Sequence, residues 1–311
     1  MTDTPDFGPD ASRVRSFRLT GTVASIVADA SGLADAERPQ LEARLRTVAE
    51  RHGAGEVRVA LTAARSGRKL IAVGSGKGGV GKSTLAANLA VALARLGRKV
   101  GIIDADIYGP SQPRLLGTSE RPEAEDKTLI PVAAQGVRLL SVGQLVPEGQ
   151  ALAWRGPMAA GALNQLVEGQ WGDTELIIVD LPPGTGDVQL SLIQKARPAG
   201  AVVVSTPQDL ALIDATRAID LFRKTSVPVL GIIENMAGYD CPHCGQPSDP
   251  FGSGGAEAAA HELGIPFLGR LPLSASLREA SDAGRPPAAG DGPAGRAFRD
   301  LAEKLLAALE P

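Results

Sequence analysis

From Leu70 onward, short apolar runs alternate with stretches whose apolar residues recur every three or four positions. The runs cover residues 70–73, 100–103, 137–142, 176–179, 201–205, 229–233 and 267–271. Several are apolar without interruption, as strands buried on both faces are, so they predict a doubly wound α/β fold with a mostly parallel sheet. After the first run, Leu85, Ala86, Leu89, Ala90, Leu93 and Ala94 share one helical face that ends at Gly97. A Pro-, Gly- and Ala-rich loop over 282–295 precedes a closing helix over 296–309.

The pattern is weaker before Leu70. Residues 17–65 predict a small α/β domain. It has a strand or short helix around Val23, Ile26 and Val27, and a helix with Leu41, Leu45, Val48 and Ala49 on one face. A half-buried strand over 56–63 follows, alternating through Val57, Val59 and Leu61. Residues 1–16, polar and without periodicity, are expected to be a flexible terminus. Residues 65–69 then form a linker into the larger domain, 69–311.

Between the first run and its helix lies Gly-Lys-Gly-Gly-Val-Gly-Lys-Ser-Thr, residues 76–84, which fits the phosphate-loop pattern G-x-x-x-x-G-K-[ST]. Gly76, Gly81, Lys82 and Ser83 hold the fixed places, with Val80 and Thr84 beside them. Backbone N–H groups must converge on phosphate oxygens there, which needs residues that tolerate positive φ and bring no Cβ. Gly78, Gly79 and Gly81 meet that need. The motif follows a strand and opens a helix, as it must to bind a nucleoside triphosphate. No Asn-Lys-x-Asp guanine signature occurs, so ATP is the expected nucleotide, with Asn235 a candidate for the adenine edge.

Ligands of such sheets collect beyond the carboxyl ends of the strands. One run ends in Asp104, followed by Asp106; another ends in Asp180. An aspartate after four apolar residues suits Mg2+, which Asp180, Ser83 and Asp104 are the candidates to hold. Lys82 would neutralise phosphate charge and Asp106 orient the attacking water. Each aspartate has a plainer reading as a helix cap or turn former. The loop Pro182, Pro183, Gly184, Thr185, Gly186 and Asp187 follows Asp180 closely and is a candidate switch that orders around the γ-phosphate.

The chain has only two cysteines, Cys241 and Cys244, three positions apart, which excludes a disulfide framework. A single Cys-x-x-Cys fits a redox disulfide, a zinc site or an iron-sulfur site. As metal ligands the two thiolates are half a tetrahedral set, so the rest must come from His243, a small molecule or a second copy of the chain. The net charge of −3 offers no general attraction to nucleic acid or anionic membrane. The apolar runs fall short of the roughly 20 residues that span a bilayer. With a polar N-terminus, a cytoplasmic location is expected.

Together these residues resemble the Mrp/ApbC-type iron-sulfur cluster carriers, within the deviant Walker A class that includes MinD, ParA and the nitrogenase iron protein. The resemblance spans roughly 69–287 and rests on Ser-Gly-Lys-Gly-Gly-Val-Gly-Lys-Ser-Thr at 75–84, Asp-Ala-Asp-Ile-Tyr-Gly-Pro-Ser at 104–111 and Trp-Arg-Gly-Pro-Met at 154–158. It rests further on Asp-Leu-Pro-Pro-Gly-Thr-Gly-Asp-Val-Gln at 180–189, Glu-Asn-Met at 234–236, the cysteine pair and Phe-Gly-Ser-Gly-Gly at 251–255. It implies a homodimer that sandwiches ATP, with Lys77 reaching the phosphates held by the partner subunit, so that Lys77 joins Lys82, Asp104 and Asp106 in catalysis. It also implies a bridging [4Fe-4S] cluster on Cys241 and Cys244 of both chains, passed to apo iron-sulfur proteins, with cluster scaffold proteins as further partners. Hydrolysis would be slow and regulatory. The family often carries a small N-terminal domain of iron-sulfur assembly type; residues 17–65 have its size but lack its usual acidic motif. Ser274 stands where an aspartate is common.

Two other readings remain open. A MinD/ParA-like positioning ATPase would need a basic amphipathic C-terminal helix or a basic DNA-binding face, and Arg296, Arg299 and Lys304 are balanced by Asp300, Glu303 and Glu310. A zinc-bridged dimeric ATPase would use the same two thiols.

Overall fold

The computed structural model describes residues 5–30, 33, 37–62, 68–126, 128–145, 156–241 and 243–310. The 154–155 end of the Trp-Arg-Gly-Pro-Met motif and most of the expected linker lie outside these residues. The chain forms two compact units, Met1–Arg68 and Lys69–Pro311.

The smaller unit holds β1 (Val14–Thr20), β2 (Val23–Asp29), α1 (Arg38–Arg51) and β3 (Glu56–Thr62). β2 is central, antiparallel to β1 and parallel to β3. Leu41, Leu45 and Ala49 of α1 are buried with Ala24, Ile26, Ala28 and Val57 of the sheet. Residues 5–16, expected to be loose, are instead tied down. Phe7 is buried and packs edge-on against Phe17 at 5.8 Å, and Arg44 donates to Asp10 at 2.7 and 3.0 Å. The sequence concealed β1 because a register shift between Val14 and Ser16 breaks its alternation.

The larger unit runs β4 (Lys69–Gly74), α2 (Lys82–Arg95), β5 (Val100–Asp104), α3 (Gln112–Leu115), β6 (Glu123–Glu125), β7 (Thr128–Ile130), β8 (Val132–Ala134) and β9 (Val137–Ser141). It continues through α4 (Gly156–Val167), β10 (Leu176–Asp180), α5 (Asp187–Ala196), β11 (Gly200–Ser205), α6 (Asp209–Lys224) and β12 (Val229–Glu234). The last elements are β13 (Tyr239–Asp240), β14 (Pro247–Ser248), α7 (Gly255–Leu263), β15 (Phe267–Arg270), α8 (Ala275–Asp282) and α9 (Pro293–Leu309).

Eight strands form one sheet in the order β15-β12-β11-β4-β10-β5-β9-β8, parallel except for the β8/β9 pair at one edge. Successive side chains go to opposite faces. Ile71 and Val73 join the core under α2 and α9, while Ala72 joins the core under α4, α5, α6 and α7. This is the doubly wound sheet that the apolar runs predict. The expected 282–295 loop is shorter than foreseen, because α9 begins at Pro293, a residue whose fixed φ suits a first helical turn.

Register sets the site. Asp180 of β10 lies beside Val73 of β4 on one side and Asp104 of β5 on the other. Two carboxylates are thereby placed next to the loop that follows β4.

Candidate functional site

The loop over 75–81 turns from β4 into α2 with Gly79 at φ +80° and Gly81 at φ +84°. Gly76 is required for a different reason. A Cβ there would come within 2.0 Å of the Asp214 carbonyl oxygen, so the backbone of α6 abuts the loop. α2 begins with Gly81 as N-cap and no side-chain cap. The N–H groups of its first turn, Lys82, Ser83 and Thr84, therefore point outward at a positive helix end, the arrangement that binds phosphate.

Lys82 sits under that turn, 6 % exposed. It bonds Asp180 Oδ1 by a short contact, Ser83 Oγ at 3.2 Å and Asp106 Oδ2 at 3.5 Å. Burial alone would lower its pKa. The charge of Asp180 and its hydrogen bond, joined by the charges of Asp106 and Asp104, outweigh this and hold the ammonium above its ordinary value.

Asp104 is fully buried, and both of its oxygens accept hydrogen bonds. Oδ2 accepts from Ser111 N at 2.9 Å, Gln112 N at 3.0 Å and Ser141 Oγ at 2.9 Å, and Oδ1 from Asp106 N at 3.2 Å. Its carboxyl therefore holds the 106–112 loop, while Oδ1, with its one bond of 3.2 Å, keeps a lone pair. Burial, then the charge of Asp180, raises its pKa to about 7.

The oxygens grouped about Lys82 that suit a cation are Ser83 Oγ, the Asp180 carboxylate, which already accepts from Lys82 and Gln112, and Gln112 Oε1, which is buried and has no partner among the described residues. A set made only of hard oxygens fits magnesium. Gln112 and Ser141 were not foreseen. Gln112 Nε2 also donates to Asp180 Oδ2 at 2.7 Å and Ser83 O at 3.0 Å, but a glutamine carries no motif signal.

The 182–187 loop packs beside the phosphate loop: Gly184 N donates to Ser75 O at 3.0 Å. Pro182 is buried, Pro183 and Gly184 are half-buried, and Thr185 and Gly186 are exposed. Asp187 is also exposed and opens α5. Lys77 is half-buried and, among the described residues, its ammonium has no ion-pair partner. Ser274 Oγ caps α8, accepting from Leu277 N at 3.2 Å.

The thiols lie elsewhere, on a hairpin between β13 and β14. Cys241 N donates to Gln246 O at 3.1 Å and Gly245 N to Cys241 O at 2.8 Å, with Gly245 at φ +71°. Cys241 is half-buried and Cys244 exposed. The backbone N–H groups of Cys244 and His243, then the Cys244 thiol, lower the pKa of Cys241. Among the described residues no further His, Asp or Glu joins the pair to make a set of three. A cleft of about 380 Å³ lined by Tyr239, Asp240, Ser248 and Asp249 opens beside them.

A model of the family described as ParA: NUBPL iron-transfer P-loop NTPase matches residues 66–306. The chain belongs to this family. Within the ParA/NUBPL family and its kin, it is 51 % identical over 228 residues to an iron-sulfur cluster carrier protein of Pseudomonas fragi, covering 72 % of this chain and 79 % of that one. It is similar, at 41 % identity and TM-score 0.63, to the solved nucleotide-binding protein of Archaeoglobus fulgidus in complex with ADP, over 70 % of this chain and 88 % of that one. The cell division ATPase MinD of Pyrococcus furiosus shares the fold, at TM-score 0.61 and 24 % identity over 77 % of this chain and 98 % of that one. The ParA/NUBPL match begins where the larger unit does, so the smaller unit stands almost wholly outside it.

Proposed function

We propose that this chain is an ATP-hydrolysing carrier of iron-sulfur clusters that works as a homodimer. The cluster is its cargo, received from scaffold proteins and delivered to apo-proteins. The observation that carries this reading is the pairing, in one chain, of a phosphate-ready α2 terminus with a hairpin of two thiols that no third His, Asp or Glu joins among the described residues. Two copies would supply four thiolates, enough to enclose a [4Fe-4S] cluster.

At the nucleotide, the first-turn N–H groups of α2 and Lys82 would take the phosphates. Ser83 Oγ and Asp180 would hold magnesium, which when bound spreads the charge of the β- and γ-phosphates. Asp104 acts as a clamp on the loop that presents Asp106. Asp106 Oδ2 then orients the attacking water, while Lys77 reaches the partner subunit's phosphates.

A MinD-like role at a membrane finds little support. Phe298, Leu301, Leu305 and Leu309 of α9 are spent on the core.

The test is anaerobic reconstitution with ferrous iron, sulfide and, in parallel, zinc. The wild-type chain should take up iron and sulfide in equal amounts, run as a dimer and hand the cluster to an apo-protein. The Cys241→Ala variant should bind none while keeping nucleotide affinity within about twofold. A full cluster on that variant, or zinc without sulfide on the wild type, overturns the reading.

A further inference from the structure

The segment that carries the thiols leaves β12 at a point in direct contact with the phosphate loop. After Glu234 the chain passes Asn235 and Met236 on its way to β13 and Cys241. Asn235 is held twice: its backbone N–H donates to Ser205 O at 2.8 Å and its Nδ2 to Val80 O at 2.8 Å. The amide lies so near the loop that a Cβ on Gly81 would come within 2.2 Å of Nδ2. A shift of the loop at Val80 or Gly81 must therefore break this bond or carry Asn235 with it.

The path onward is stiff. Met236 holds φ +61°, a left-handed conformation that side chains other than glycine rarely adopt. Ala237 N donates to Leu271 O at 2.9 Å, and Leu273 N to Gly238 O at 2.8 Å. The far end of the segment returns to the same anchor, where the buried Glu234 accepts from Gly254 N at 2.9 Å and Ala256 N at 2.7 Å. Both ends of the thiol-bearing segment are thus rooted at one strand end. The Asn235 side chain ties that root to the phosphate loop. The 182–187 loop touches the same phosphate loop at its first residue, Ser75.

We infer that Asn235 is a positioning residue that passes the state of the phosphate loop to the Cys241/Cys244 turn, with its bond to Val80 O as the joint. The inference takes its purpose from the carrier reading, since it gives nucleotide a handle on the cargo site. Its amide keeps a second N–H and Oδ1 for the adenine edge, so the two tasks are compatible.

Cys241 and Cys244 are the only cysteines in the chain, so thiol alkylation of the reduced, metal-free protein reports on the hairpin with no cluster present. Saturating Mg-ATP should change the wild-type alkylation rate by about fivefold or more. In Asn235→Ala, assayed at a nucleotide concentration that titration shows to saturate it, the ratio should fall to within about 1.5-fold of unity. Met236→Gly keeps the amide but relaxes the left-handed residue, and should lower the ratio in the same sense. That variant decides the matter if Asn235→Ala does not fold. An unchanged ratio in the folded variant, or no nucleotide effect in the wild type, overturns the inference. A wild-type chain that shows the effect but takes up no cluster refutes the carrier reading and leaves the joint standing.

Discussion

The phosphate-loop end of the sheet and the cysteine hairpin grow from strands of the same sheet yet are built in opposite ways. Around Lys82 the charged groups are buried and most are answered within the chain, Asp104 by three backbone N–H groups and a hydroxyl, and Asp180 by Lys82 and Gln112. At the hairpin the paired strands are two residues each and one thiol is exposed. A centre that satisfies most of its own polar atoms is preorganised for nucleotide. A centre with open ligand positions is completed from outside the chain.

Lys82→Met attacks the first half of that comparison hardest. It removes the cation between Asp104, Asp106 and Asp180. Stability of the nucleotide-free chain should fall by about 3–5 kcal/mol in denaturant titration, and ATP turnover by about 100-fold or more. A variant as stable as the wild type would mean that the carboxylates are not held by charge. Smaller, and aimed at the other half, is the difference in amide exchange. Cys241 and Gly245 should exchange about 100-fold faster than Leu89 and Leu93 of α2, because the short hairpin can open without the core. Equal protection would make the hairpin as rigid as the nucleotide centre and end the contrast.

How much of this was legible in the sequence follows from the same contrast. The phosphate loop and strand ends were legible because glycine, lysine and aspartate there are fixed by backbone geometry that recurs at fixed spacing. The cysteine pair was legible as chemistry, since nothing else in the chain competes with it. What could not be read depends on tertiary approach. Gly76 was found as a motif position, but the α6 backbone that forbids a side chain there is distant in sequence. Gln112 reaches both Ser83 and Asp180 with an amide that looks like any surface glutamine. Asp104 is expected at the metal; only the fold of the 106–112 loop reveals that its carboxylate also holds that loop. Asn235 was expected at the adenine, and its bond to Val80 O needs β12 and β4 in one sheet with β11 between them.

The smallest effect tests the electrostatics of the two ends, which are shifted in opposite senses. At the hairpin, N–H donors lower the Cys241 thiol; at the sheet, burial raises the Asp104 carboxyl from 3.8 to about 7. A carboxyl raised in the folded state binds a proton that the unfolded chain has already released, so stability falls as pH rises through that window. For the nucleotide- and metal-free chain the expected loss between about pH 5 and about pH 7.5 is about 1–3 kcal/mol. Asp104→Asn removes the titration but turns a donor toward the N–H groups of Ser111 and Gln112 or that of Asp106. The variant should therefore be less stable at low pH and flatter across the window. The slope is the informative quantity, because overpacking or a lost hydrogen bond lowers stability without regard to pH. A slope equal to the wild type's would show that Asp104 keeps its charge when buried, and that the nucleotide centre is held by its hydrogen bonds alone.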